Sequence, residues 1–151
     1  MEQRMNNPAT TVPGAMQGLF GISKAIEHGG LPATIRHMVY LRASQINGCS
    51  VCVHSHAADM QKAGEPMERI FAVAAWRDAP FFSAAERAAL ALTEAVTRLS
   101  DRADAVPDEV WNDAQAQFDE PSLSALVLSI GLINVWNRLN VATKQVAGAA
   151  W

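Results

Sequence analysis

The sequence predicts an all-α fold, a helical bundle of about seven helices. Three observations carry that expectation. Apolar residues recur in steps of three and four, most cleanly in Ala85, Ala89, Leu92, Val96 and Leu99. Runs that alternate strictly between apolar and polar, as half-buried strands do, are missing. Gly and Pro fall at intervals suited to helix ends and starts, as in His28-Gly29-Gly30, Pro32, Asn47-Gly48, Ala63-Gly64, Pro66 and Pro107.

Each element has its own local reason. Residues 1–13 carry Asn, Thr and Pro without periodicity and are expected to form a flexible N-terminal arm, mobile or lying on a neighbour. Residues 14–151 then form a single helical domain. Met16, Leu19, Phe20, Ser23 and Ile26 mark a first amphipathic helix, ended by Gly29-Gly30 with His28 at its last turn. Pro32 opens a second helix, where a missing N–H costs little, with Ile35, Met38, Val39, Arg42 and Ile46 along one side. Asn47-Gly48 forces a break, and a third helix runs to about Ala63-Gly64. Pro66 opens a short fourth helix, followed by a connection from Trp76 to Phe82. Ser83-Ala84-Ala85-Glu86 is a capping box that starts the fifth. After a polar linker from Ser100 to Ala105, Pro107-Asp108-Glu109 opens the sixth with acidic residues in its first turn. The last helix starts around Asp119 to Pro121 and is expected to reach about Val146. It is apolar on nearly every side as far as Trp136, which suits a central helix or a subunit contact.

Composition narrows the function. The 151 residues suit one domain with a real core, half of them apolar and with a net charge of -3. That charge leaves no basic footprint for nucleic acid, and no basic amphipathic helix points to a membrane surface. The most apolar stretch, Leu123 to Trp136, is shorter than a bilayer span. Met1 to Thr11 has no apolar segment of the signal-peptide kind. Two cysteines make no secreted disulfide framework, so a cytoplasmic, reducing location is expected. In that setting a close cysteine pair is catalytic or metal-binding more often than structural.

Both cysteines sit in Gly48-Cys49-Ser50-Val51-Cys52-Val53-His54-Ser55-His56. On a helix opening at Asn47-Gly48, Cys49, Cys52 and His56 share one stripe because their spacings are three and four. A thiol in an opening turn feels unpaired N–H groups, which favour the thiolate. A second thiol three residues on can close onto an oxidised sulfur, and an imidazole beside them can take or give the proton. Competing readings are a pair of buried apolar cysteines, or a zinc site on Cys49, Cys52 and His56 that lacks a fourth ligand. Asn134, Asn137 and Arg138 form a polar patch on the last helix, read as structural because buried amides persist where they are hydrogen-bonded. Trp76 and Trp136 are read as core or interface anchors.

Leu41-Arg42-Ala43-Ser44-Gln45-Ile46-Asn47-Gly48-Cys49, with Cys52 and His56, resembles the AhpD-like alkylhydroperoxidases of the carboxymuconolactone decarboxylase superfamily. The resemblance continues in Ala75-Trp76-Arg77-Asp78-Ala79-Pro80-Phe81-Phe82-Ser83 and in Leu132-Ile133-Asn134-Val135-Trp136-Asn137-Arg138-Leu139-Asn140. It covers most of the chain from about Met16 to Val146. It implies an all-helical fold, thiol-based peroxidase activity on hydrogen peroxide or organic hydroperoxides, and a thiol or dithiol reductant. It implies no cofactor and no metal, and a homo-oligomer, trimer or hexamer. By the family's mechanism Cys52 attacks the peroxide and Cys49 resolves, whereas the helix dipole alone favours Cys49 as the more acidic thiol. The family's proton relay includes a Glu twelve residues before the first motif Cys; here that position is His37. An imidazole can relay protons but supplies no fixed negative charge. The catalytic candidates are therefore Cys49, Cys52, His56 and His37. The alternatives are a lyase of the carboxymuconolactone decarboxylase type, which needs no redox pair, and a non-enzymatic redox-sensing oligomer.

Overall fold

The computed structural model describes residues 2–148, and all regular structure among them is helical. Eight α-helices are present among the described residues: α1 (Pro8–Thr11), α2 (Ala15–Glu27), α3 (Ala33–Asn47), α4 (Ser50–Lys62), α5 (Met67–Ala72), α6 (Ala84–Thr97), α7 (Asp108–Gln117) and α8 (Glu120–Thr143). Short 3-10 turns at Val73–Ala75 and Leu99–Asp101 extend α5 and α6.

One more helix is present than the sequence predicts, and it lies in the N-terminal arm. Asn7 caps α1 by accepting from the Ala9 N–H at 2.9 Å, and Pro8 follows in the first turn, where no N–H is needed. The arm expected to be mobile is tied to the end of α8. Asn7 Nδ2 donates to Asn140 Oδ1 at 2.7 Å, the Arg4 N–H donates to the Thr143 carbonyl at 2.9 Å, and Gln145 Nε2 donates to the Met5 carbonyl at 2.9 Å. Asn7 and Ala9 are buried as a result.

Helix α3 is the centre of the bundle. One face, through Ile35, Val39 and Ala43, joins Ile26 of α2, Leu92 of α6 and Leu126, Ile130 and Ile133 of α8 in the main core. Its other face sends Met38 and Leu41 into a second core with Met60, Ile70, Val73, Trp76, Phe82 and Leu90. Two apolar faces explain why α3 reads poorly as an amphipathic helix yet lies deep in the fold. The turn after α2 approaches α8 so closely that a Cβ added at Gly29 would stand 2.5 Å from the Ala125 Cβ. No L side chain other than the hydrogen of glycine fits there without a backbone shift.

Local chemistry sets the boundaries. The Ser83 and Glu86 capping box at the start of α6 is present as expected. Asp119 caps α8 by accepting from the Ser122 N–H. Helix α8 ends at Thr143, earlier than expected, because Lys144 turns into the left-handed region at φ 54°. At 24 residues it is nonetheless long and apolar enough to cross a membrane, longer than the apolar stretch read from the sequence. Half of its most apolar window is buried inside the fold, together with Asn134, Asn137 and Asn140.

A carboxylate braces the second core. Glu94 of α6 is buried and accepts from Trp76 Nε1 at 2.9 Å and from Arg42 Nε at 2.8 Å, and it also pairs with Arg77. Burial alone would raise its pKa; the hydrogen bonds from Trp76, Arg77 and Arg42 outweigh that and hold it below the usual carboxylate value. Trp76 is thus a core anchor with its polar edge satisfied, as read from the sequence.

Candidate active site

The turn between α3 and α4 places the two sulfurs. Gly48 adopts φ 67° as the cap of α3, a conformation that favours glycine, and reverses the chain direction. Cys49 then becomes the N-cap of α4, and its sulfur accepts from the Cys52 N–H at 3.3 Å. Cys49 and Cys52 are joined as a disulfide with their Cα atoms 5.3 Å apart. Both are buried. Asn140 of α8 donates from Nδ2 to Cys52 Sγ at 3.3 Å, while its Oδ1 accepts from Asn7. Each sulfur therefore meets one N–H donor, and each donor favours a thiolate when the bond is reduced.

A pocket of about 300 Å³ opens beside this turn. Gly48, Cys49, Ser50 and Val51 form one wall, and Asn140, Val141, Lys144 and Gln145 at the end of α8 form the other. Cys49 borders this pocket, and Cys52 is held by Asn140, which lines its other wall.

The next turn of α4 carries His56, four residues on and on the same face as Cys52. Its ring lies 5.0 Å from the Tyr40 ring, centroid to centroid. Its Nδ1 stands 3.7 Å from Asp59 Oδ2, an ion-pair distance rather than a hydrogen bond. Burial pushes the His56 pKa down to about 4; the Asp59 carboxylate opposes that, and His37 adds to it. His56 is thus neutral at pH 7. His37 reaches the same place from α3, its pKa lowered by burial and by Arg36 and raised in part by Asp59. One donor atom from each of His37, His56 and Asp59 lies within 4.8 Å of the others, so among the described residues these three could hold a metal ion.

The four residues singled out from the sequence therefore fall into two pairs, Cys49 with Cys52 and His56 with His37, linked along α4 by the one turn from Cys52 to His56. His54 is exposed on the opposite side of α4, in a groove with Leu41 and Phe71. The polar patch on α8 is structural, as expected. Asn47 Nδ2 donates to Asn134 Oδ1 and to Asn137 Oδ1, both at 2.9 Å, Asn137 donates to Ser44 Oγ, and Arg138 donates to Asn134. This seam fixes the end of α3, and so the turn that carries Cys49. Sequence reasoning missed Asp59, Tyr40 and Asn140. Asp59 had a local signal, a carboxylate three residues after His56. Asn140 had none, because its contact with Cys52 spans 88 residues.

The family model for the carboxymuconolactone decarboxylase family matches residues 13–95, more than half of the chain. The chain belongs to the carboxymuconolactone decarboxylase family. The matched stretch of this family contains Cys49, Cys52, His56, His37 and Asp59, whereas Asn140 lies beyond it. The uncharacterised protein YdfG of Bacillus subtilis is 35% identical over 130 residues, which cover 86% of this chain and 87% of YdfG. A crystal structure of an Agrobacterium tumefaciens protein of unknown function, proposed as the antioxidant defence protein AhpD, superposes with a TM-score of 0.90. It is 29% identical and the match covers 99% of this chain and 100% of that one. The debrominase Bmp8 shares the fold, with a TM-score of 0.76 at 19% identity over 91% of this chain and 73% of its own. The AhpD-like helical fold expected from the sequence is therefore the fold of this family member.

Proposed function

We propose that this protein is a thiol peroxidase of the alkylhydroperoxidase type, reducing hydrogen peroxide or an organic hydroperoxide through Cys49 and Cys52. One observation carries the reading: two bonded cysteines at the start of α4, one helical turn from a half-buried neutral imidazole.

In the reduced protein His56 takes the thiol proton, and the thiolate attacks the terminal peroxide oxygen. The O–O bond breaks, an S–O bond forms, and the alkoxide or hydroxide leaves with the proton returned through His56. The resulting sulfenic acid is attacked by the second thiolate, the S–O bond breaks, and water leaves as the disulfide closes. Peroxide gains two electrons and the two thiols lose them. The reading assigns the attack to Cys52, one turn from the base. Cys49 borders the open pocket and is the sulfur that an incoming thiol or dithiol reductant meets. Thiolate exchange at Cys49 then releases the Cys52 thiolate beside His56. His37 and Asp59 extend the relay and supply, through Asp59, the negative charge that the sequence reading found missing.

The reading includes a homo-oligomer, trimer or hexamer, in a cytoplasmic, reducing setting. Leu128, Val135 and Val141 of α8 and Phe20 and Ile22 of α2 are exposed and support the assembly.

Mass spectrometry of the reduced protein after peroxide treatment is the test. The expected product has lost two hydrogens and carries a Cys49–Cys52 link, while Cys49→Ser stops at a trappable sulfenic acid on Cys52. Thiols unchanged at millimolar peroxide, an order-of-magnitude dose for an activated thiol, would overturn the reading.

A further inference from the structure

His56 packs its ring against Tyr40 and pairs with Asp59, yet polar atoms of His37 and His56 are left unsatisfied. Nδ1 of His37 and Nδ1 of His56 are both buried and make no hydrogen bond to any described group. Buried polar atoms are nearly always paired with protein, water or an ion. Here two imidazoles converge from two helices beside a carboxylate, and each of the three residues offers one ligand atom within 4.8 Å of the others. The Asp59 oxygen turned to His56 is Oδ2, at 3.7 Å; its other oxygen, Oδ1, lies 3.9 Å from the solvent-exposed Lys62.

We propose that His37, His56 and Asp59 form a binding site for a divalent transition-metal ion of the zinc class. Two imidazoles and one carboxylate match the donor preference of such ions, whereas magnesium and calcium prefer all-oxygen shells. Bonds of about 2.0–2.2 Å require the donors to close to roughly 3.4 Å apart. His56 and Asp59 are already near that separation, so most of the adjustment falls on the His37 side chain. Three protein ligands leave a fourth position open to water, the arrangement of reactive rather than purely structural zinc sites. The site is separate from the sulfurs, so it binds with the disulfide intact. Occupancy also engages the His56 ring that the peroxide cycle uses. That consequence, a metal that restrains the cycle, rests on the proposed function; binding itself does not.

The experiment uses the oxidised full chain, titrated with Co2+ as a spectroscopic probe and with Zn2+ by calorimetry. One ion per chain should bind, with a Kd on the order of 10 μM or below. The bound Co2+ should show visible ligand-field bands without sulfur-to-metal charge transfer, and Zn2+ should displace it. His37→Gln and Asp59→Asn should each weaken binding at least about tenfold, while His54→Gln, on the exposed side of α4, should leave it unchanged. No saturable binding to the unsubstituted chain overturns the proposal, and that result needs no variant to fold. Binding that survives both His37→Gln and Asp59→Asn, or that shows sulfur-to-metal charge transfer, overturns it as well. Since the sulfurs stay bonded throughout, failure here leaves the thiol reading standing, and failure of the peroxide assay leaves this one standing.

Discussion

Asp59 Oδ2 faces His56 Nδ1 across 3.7 Å, on the same helix and three residues away. The position where the family's relay carries a Glu is His37, so the sequence left two imidazoles with no negative charge to orient them. In the proposed relay Asp59 supplies that charge from α4 rather than α3.

His56→Gln removes the base and should lower kcat/KM for peroxide by about 10²- to 10⁴-fold. Asp59→Asn keeps the ring and removes only the charge, so a loss of roughly tenfold is expected, equivalent to about 1.4 kcal/mol. Stopped-flow measurement of thiol oxidation reads both. Equal losses for the two variants would show that the ring does not act alone as base.

Asn140→Ala deletes the N–H that points at Cys52 Sγ from 3.3 Å. A hydrogen bond to a charged group contributes about 1.5–3 kcal/mol, so alkylation of Cys52 should move to higher pH when it is lost. The pH dependence of alkylation in a Cys49→Ser background measures it. A rise would identify Asn140 as a positioning residue, since loss of packing alone would not shift the titration.

Stability should fall on acidification in a defined window. His56 has a pKa of about 4 in the fold against an ordinary value of 6.5. Between these values the unfolded chain binds the proton and the folded one resists it. The stabilisation is complete above pH 6.5 and is lost as pH falls towards 4. The loss is on the order of 3 kcal/mol. Glu94, whose pKa is held low, contributes a further loss below the usual carboxylate range, with the same sign. Urea midpoints at pH 7.5, 6 and 4.5 read the slope, and His56→Gln should flatten it above pH 4.5.

Glu94→Ala should be the most destabilising of these changes. It leaves Arg42, Trp76 Nε1 and Arg77 without their shared acceptor inside the second core. Breaking a buried pair in this way costs about 3–5 kcal/mol. A thermal or urea unfolding curve with an unchanged midpoint would contradict it.

Much of this architecture was legible where its cause is local. Pro32, Pro107, Gly48 and the Ser83–Glu86 box each act within four residues, and each marks a helix boundary as read. Helix α1 escaped notice because four residues are too few to show a period; Asn7 followed by Pro8 was its only trace. The end of α8 was misplaced because Lys144, not a glycine, takes the left-handed turn there. At the site, the cysteines, His56 and His37 came from spacing and resemblance. Asp59 was readable by the same spacing rule but was passed over, and Asn140 depends on long-range packing that no local pattern encodes.

The Asn7 to Asn140 contact has a practical consequence for anyone handling this protein. The amide that touches Cys52 is steadied by a residue only six places from the first methionine. An affinity tag fused at the front, or nicking by a protease ahead of Pro8, would reach the sulfur through one intervening side chain. Preparations that differ only ahead of Pro8 should then differ in thiol reactivity.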